Sequence, residues 1–224
     1  IGVTIEDLSE EGTGIGKFEG MTFFIKDAVI GDRVRAKIMK MKKNYGFARL
    51  MEVLTPSPDR VEPLCPVARQ CGGCQIQAMS YEAQLAFKTR KVESNLKRIG
   101  KFEEIPMESI IGMEDPFHYR NKAQFPFGKN RDGKIITGFY AGRTHSIIEN
   151  TSCHLGKEVN EKILEKILAW MNAFHVEPYN EATGKGLMRH SLIRCGFRTG
   201  EIMVCLVING RKIPGEEALV DSLK

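Results

Sequence analysis

Cys65-Pro66-Val67-Ala68-Arg69-Gln70-Cys71-Gly72-Gly73-Cys74 is the stretch whose reading decides the fold, because it divides a β-rich half from a mixed one. Its three cysteines are spaced C-x5-C-x2-C. A C-x2-C pair on a tight turn points two sulfurs the same way, the arrangement that metal ions and iron–sulfur clusters require. Gly72 and Gly73 let the backbone approach such a centre. Pro66, Arg69, Gln70 and the two glycines do not make a core strand, so three buried apolar cysteines are not expected. A closed site needs a fourth ligand, and Cys153, alone in the polar turn Thr151-Ser152-Cys153-His154, is the best placed. Four thiolates suit zinc or an iron–sulfur cluster, and His154 offers a Cys₃His zinc alternative; spacing does not choose between them.

N-terminal to this stretch the sequence reads as all-β. Short strands are expected at Gly2–Ile5, Met21–Ile25, Asp32–Ile38 and Tyr45–Val53. Asp32–Ile38 alternates, with Val34, Ala36 and Ile38 on one face and Arg33, Arg35 and Lys37 on the other. Phe47, Leu50 and Val53 are the expected apolar anchors of the last strand. Short strands at this spacing predict a small barrel of the oligonucleotide-binding kind. Gly12-Thr13-Gly14-Ile15-Gly16 mimics a nucleotide-binding loop, but it leads into a strand and not into a helix N-terminus. It reads as a turned hairpin loop. The Pro-rich connector Thr55–Pro63 places a domain boundary after residue 56.

C-terminal to the cysteines, a helix is expected from Ser80, its N-cap, to Ile99, with Leu85, Val92, Leu96 and Ile99 buried and Gly100 closing it. Residues 105–150 turn to β, with a hairpin at Asn130-Arg131-Asp132-Gly133. A second helix is expected over Lys157–Phe174, burying Val159, Ile163, Ile167, Met171 and Phe174. A strand pair follows at Leu192–Phe197 and Ile202–Ile208, carrying Cys195 and Cys205 as ordinary buried cysteines, and a short amphipathic helix closes the chain. The fold class is therefore α+β: a barrel over 1–56, then an antiparallel sheet with helices and a cysteine-ligated centre over 57–224.

The chain has 224 residues and a net charge of +5. Residues 33–49 hold seven basic side chains and no acid, and residues 118–145 hold six against Asp132 alone. Two basic stretches point to a polyanion such as nucleic acid. No apolar run approaches the ~20 residues a membrane span needs. With no secretory signal, a cytoplasmic, monomeric protein without membrane contact is expected.

The order of parts has a family likeness. Ser57-Pro58, Arg60-Val61-Glu62-Pro63, Cys65, Cys71-Gly72-Gly73-Cys74-Gln75, Tyr81, Gln84, Lys88, Tyr119-Arg120-Asn121-Lys122 and Cys153 follow a small β-barrel. In this the chain resembles bacterial RNA uracil-5-methyltransferases with an N-terminal TRAM domain and an iron–sulfur cluster. The resemblance implies a [4Fe–4S] cluster held by Cys65, Cys71, Cys74 and Cys153. It also implies an RNA partner, ribosomal RNA foremost and transfer RNA second, and S-adenosylmethionine as the methyl donor of the full-length enzyme. No strand–glycine-loop–helix unit for that donor is found before Lys224. The expectation is thus the recognition and cluster portion of such an enzyme, without its catalytic domain, with no catalytic residue of its own, and inactive in isolation. Lys40, Lys42, Lys43, Arg120, Lys122, Phe139, Arg143 and His145 are the expected RNA contacts, cations to phosphates and Phe139 or Tyr45 stacking on a base. Two rivals remain: a zinc-ribbon RNA-binding module with no enzymatic parent, and a TRAM-bearing radical enzyme such as a methylthiotransferase. The latter's C-x3-C-x2-C spacing is not met here.

Overall fold

Alternation in the first fifty-odd residues closes a barrel. The computed structural model describes all residues, Ile1–Lys224. Strands β1 (Gly2–Leu8), β2 (Gly14–Phe18), β3 (Met21–Lys26), β4 (Arg33–Met41) and β5 (Tyr45–Thr55) close in the order β1-β2-β3-β5-β4, with β3 parallel to β5 and the other described pairings antiparallel. Val3, Ile5, Phe23, Ile25, Val34, Ala36, Ala48 and Leu50 fill its interior.

Three expectations change here. The glycine-rich segment is a loop only in its first half: Gly12 and Thr13 close the β1–β2 turn on Ser9, whereas Gly14 and Gly16 lie in β2 and face inward. A Cβ on Gly16 would sit 2.3 Å from Val3 Cγ1 and 2.4 Å from the Thr4 carbonyl oxygen, so close strand approach explains the glycine. The β2–β3 link is the two-residue turn Glu19-Gly20, both at positive φ, as a tight hairpin with right-handed strand twist requires. Ile38 is exposed, not buried: it shares the inward face with its partner Ala48 but lies at the last paired position before the β4–β5 register slips between Ile38 and Lys40. Phe47 lies on the outer surface, since small Gly46 and Ala48 take the inward positions of β5.

Beyond β5 the chain does not leave the barrel's compact unit. Asp32, fully buried, accepts backbone N–H bonds from Val29 (2.7 Å) and Ser57 (2.9 Å), and Arg60 closes on it at 2.6 Å. Val61 N–H donates to the Ala78 carbonyl. Helix α1 (Tyr81–Arg98) starts at Ser80, whose hydroxyl accepts the Ala83 N–H. Its Phe87 packs with Leu8, Val29 and Met79. The first compact unit is therefore Ile1–Arg69 with Cys74–Glu114, and the second is Gln70–Gly73 with Asp115–Lys224. The expected division after residue 56 marks the end of the barrel strands but not of the unit. On α1, Val92 (51% exposed) and Ile99 (78%) are not buried as expected; only the face around Phe87 meets a core.

The second unit is built on an antiparallel sheet ordered β10-β9-β6-β7-β8: β6 (Lys122–Lys129), β7 (Ile135–Tyr140), β8 (Ile147–Glu149), β9 (Met188–Cys195) and β10 (Ile202–Ile208). Helices α2 (Val159–Ala173) and α3 (Glu216–Leu223) are its helical elements. Phe125, Phe127, Met188 and Ile193 of the sheet form one core with Ile163, Leu164, Ile167, Trp170 and Met171 of α2 and Leu219 of α3. Leu164 and Trp170 widen the helical stripe beyond the expected positions, while Phe174 ends the helix exposed. Asn130 Oδ1 accepts the N–H groups of Asp132 and Lys134, which closes the expected hairpin. Cys205, expected to be buried, is exposed on the edge strand.

Candidate nucleic-acid interface and cysteine turn

The outward positions of β3, β5 and β4 line up in rows. Phe24 pairs with Phe47, which pairs with Lys40; Lys26 pairs with Arg49, which pairs with Lys37. Tyr45 lies one pleat further along β5. The rings of Phe24, Tyr45 and Phe47 sit 5.6–5.7 Å apart, two contacts edge-on and one tilted. Tyr45 is 38% exposed and Phe47 37%. An aromatic cluster left in solvent beside a row of cations is what a base-stacking, phosphate-tracking surface requires. Lys42 and Lys43 occupy the exposed β4–β5 turn next to this face. Lys40, Lys42 and Lys43, three of the expected RNA contacts, lie on or beside this face. Phe24, Phe47, Lys26, Lys37 and Arg49 share this face without being among the contacts expected from the sequence. The signal was available in Tyr45-Gly46-Phe47-Ala48-Arg49-Leu50, whose small and aliphatic residues mark the inward face.

The remaining expected contacts belong to the second unit. Arg120 is half-buried, its N–H donating to the Leu155 carbonyl. Lys122 opens β6, exposed and opposite Arg194 of β9. Arg143, at φ 61°, and His145 lie in the exposed β7–β8 turn. Phe139 is corrected: its ring packs on Phe125 at 4.9 Å and belongs to the core, so it is not a stacking platform. Its neighbour Tyr140, on the opposite face of β7, stacks on His145 at 5.1 Å and 21°.

His145 Nδ1 lies 2.7 Å from Glu181. That hydrogen bond holds the Glu181 carboxyl below the usual carboxylate range. Burial, reinforced by the charge of Arg189, lowers the His190 imidazole, and burial raises the Tyr140 hydroxyl. Lys129, Arg131, Tyr140, His145, Tyr179, Glu181, Arg189 and His190 help line an open cleft of about 920 Å³ in this unit.

The cysteine turn is split between the two units. In the first, Gln77 reaches two cysteines: its Oε1 accepts the Cys65 N–H at 2.9 Å and its Nε2 lies 3.7 Å from Cys74 Sγ. In the second, the Gly73 N–H donates to Cys71 Sγ at 3.3 Å, Gly72 N–H donates to the Tyr140 carbonyl, and Cys71 bridges Ala141. A Cβ on Gly72 would lie 2.9 Å from the Tyr140 carbonyl oxygen, so that contact requires glycine. N–H donors aimed at sulfur suit thiolates that bind a metal centre. Cys153 is half-buried, its carbonyl accepting the Gly156 N–H. No three His, Cys, Asp or Glu side chains form a ready-made metal site; Cys65 and Cys74 belong to the first unit, Cys71 and Cys153 to the second. The sulfurs of Cys71 and Cys74 are within reach of local N–H groups. Burial pushes the Cys195 thiol up, the wrong direction for a nucleophile.

Residues 1–51 match the TRAM domain family. Over 221 residues the chain is 43% identical to an uncharacterized RNA methyltransferase of Halalkalibacterium halodurans, covering 99% of this chain and 48% of that protein. It is 44% identical over 223 residues to an uncharacterized RNA methyltransferase of Listeria monocytogenes, covering 100% of this chain and 49% of that protein. Among solved structures, the Pyrococcus abyssi tRNA (uracil-54, C5)-methyltransferase in complex with S-adenosyl-L-homocysteine matches with a TM-score of 0.71 and 22% identity. That match covers 97% of this chain and 48% of the other, and at such identity the likeness is one of fold. No helix is long and apolar enough to cross a membrane. The chain spans about half the length of the curated relatives it matches, carries a TRAM match on its barrel, and is similar along its length to proteins named RNA methyltransferases.

Proposed function

We propose that this chain is the RNA-recognition part of an S-adenosylmethionine-dependent RNA uracil-5-methyltransferase of the cytoplasm, acting on ribosomal or transfer RNA. The observation that carries the reading is the outer barrel face, where Phe24, Tyr45 and Phe47 lie beside Lys26, Lys37, Lys40 and Arg49. Cations there hold phosphates, and the rings receive unstacked bases. S-adenosylmethionine would supply the methyl group. The glycine-rich segment does not offer it a site: Gly14 and Gly16 lie in strand β2, which runs into β3 with no helix N-terminus behind it. None of the six cysteines serves as a catalytic group in this reading.

We propose Cys65, Cys71, Cys74 and Cys153 as ligands of a [4Fe–4S] cluster that cross-links distant segments of the chain. The spacing supports it, as do the N–H groups of Gly73 and Gln77 directed at Cys71 and Cys74. Iron and sulfide analysis of anaerobically purified protein tests this part. A colourless protein containing zinc and no iron would return the site to the zinc-ribbon alternative.

RNA binding is tested by titrating labelled tRNA and rRNA fragments against salt. The expected slope of log K against log salt is about −0.7 per neutralised phosphate for single strands, and Arg49→Gln should make it shallower by about one phosphate. A flat response removes the barrel face from the reading.

A further inference from the structure

We infer that the cleft of the second unit is a pocket for one unstacked guanine base of the bound RNA, read by the Glu181 carboxylate beside the Tyr140–His145 stack. The inference rests on the RNA-binding reading and extends it to a base-specific subsite separate from the barrel face.

The volume comes first. About 920 Å³, open on one side, is room for a whole nucleotide. Its walls carry flat groups in two pairs. Tyr140 and His145 are stacked, and the Arg189 guanidinium lies 4.4 Å over the Tyr179 ring. Neither Tyr140 nor His145 belongs to the core; the His145 side chain is 72% exposed, so the outer face of the stack is available for another ring. Rings and guanidinium planes are the surfaces on which splayed RNA bases settle.

At the Glu177 and Glu181 end of the cleft the charge pattern disfavours a phosphate. Lys129 is paired with Glu177 at 2.6 Å, and Glu181 stands beside His145. Two carboxylates among the cations repel an anion at the position where a ring would stack. They attract donors instead. Glu181 is held on a closed turn: Asn180 Oδ1 accepts the N–H groups of Ala182 and Thr183, and Asn180 N–H donates to the Lys185 carbonyl. A carboxylate has about four acceptor positions, and His145 uses one.

The base follows from the edge each one presents. Guanine offers two adjacent donors, N1–H and N2–H₂, which match the two oxygens of a carboxylate. Cytosine and adenine each offer one amino donor next to a ring acceptor that a carboxylate repels. Uracil offers N3–H between two carbonyls, the poorest match. A good bidentate contact of this kind discriminates by about tenfold or more.

The test uses the full chain and short single-stranded RNAs: oligouridine, and the same oligomer with one central guanosine, adenosine or cytidine. Guanosine is expected to bind about tenfold tighter than uridine. Glu181→Gln, which leaves one acceptor and adds a donor, should remove that preference while keeping affinity for oligouridine. Tyr140→Leu should weaken the guanosine oligomer more than oligouridine. Equal binding of all four oligomers, unchanged by Glu181→Gln, overturns the guanine pocket and leaves RNA binding by the barrel intact. Absence of binding to any oligomer, with a flat salt response on tRNA and rRNA fragments, overturns both.

Discussion

Replacing Arg60 by alanine should cost the first unit about 3–5 kcal/mol, far more than loss of a surface ion pair, because it strands a buried charge. Asp32 has no exposed surface. Its two oxygens accept the Val29 N–H (2.7 Å) and the Ser57 N–H (2.9 Å), and the guanidinium of Arg60 reaches them at 2.6, 3.0 and 3.1 Å. Arg60 also donates to the Asp27 carbonyl at 2.9 Å. Without the guanidinium, an ionised carboxylate keeps two neutral donors and no countercharge. Asp32→Asn is a different lesion. Both backbone N–H groups need an acceptor, and an amide has one, so about 1–3 kcal/mol should be lost to the donor left facing an NH₂. Adding Asp32→Asn to Arg60→Ala should recover part of the stability, making the two losses less than additive.

The pH dependence follows. Burial pushes the Asp32 carboxyl up, but the hydrogen bonds from Arg60, Ser57 and Val29 outweigh it and the net value is lowered. A depressed carboxyl stabilises the fold above its unfolded value of about 3.9, and that stability is lost as pH falls through the lower folded value. Removing Arg60 leaves burial less opposed, so the cost of Arg60→Ala should be larger at neutral pH than near pH ~4. The sole tryptophan, Trp170, belongs to the second unit, so its fluorescence does not report this loss. Hydrogen exchange read by mass spectrometry on peptides within residues 1–69 does. A loss below about 1 kcal/mol, the same at both pH values, would refute the reasoning.

Gly16→Ala should destabilise the barrel by about 1–3 kcal/mol, since its Cβ meets Val3 and the Thr4 backbone, whereas Gly20→Ala should cost less, having strain but no clash; hydrogen exchange of peptides within residues 1–69, followed across urea concentrations, compares them. Phe47→Ala should weaken RNA binding by about 1–3 kcal/mol with little change in barrel stability, because the ring is outside the core; a loss of folding without loss of affinity would contradict the outward face. The Glu181 carboxyl, followed by NMR, should titrate below the ordinary range, and His145→Ala should bring it back toward that range, because the hydrogen bond from His145 is the main cause of the shift.

Much of the fold was legible because period-2 alternation and turn residues act locally. Val34-Arg35-Ala36-Lys37 has one possible inward face in a barrel, and Asn130–Gly133 has one economical turn. Ser80 announced α1 because a hydroxyl at that position caps by itself. The candidate RNA contacts were legible only as charge. Sequence does not show which cations face the same way once a strand slips register, as at Ile38, or whether Phe139 turns inward while Tyr140 turns out.

By itself the amino-acid sequence determined the inward face of β4 at Val34 and Ala36, the start of α1 at Ser80 and the cysteine spacing, since each depends on neighbours a few residues away. Tertiary structure alone decided that Gly14 and Gly16 are spacers between packed strands and not part of the hairpin turn, because the atoms they accommodate come from Val3, Thr4, Ile5 and Ile25. It also decided that Asp32 is a buried charge clasped by Arg60, and that Tyr140, His145 and Glu181 share one cleft. Arg60 stands 28 residues from Asp32 along the chain and Glu181 stands 36 from His145, separations over which local chemistry carries no information and only the closed fold does.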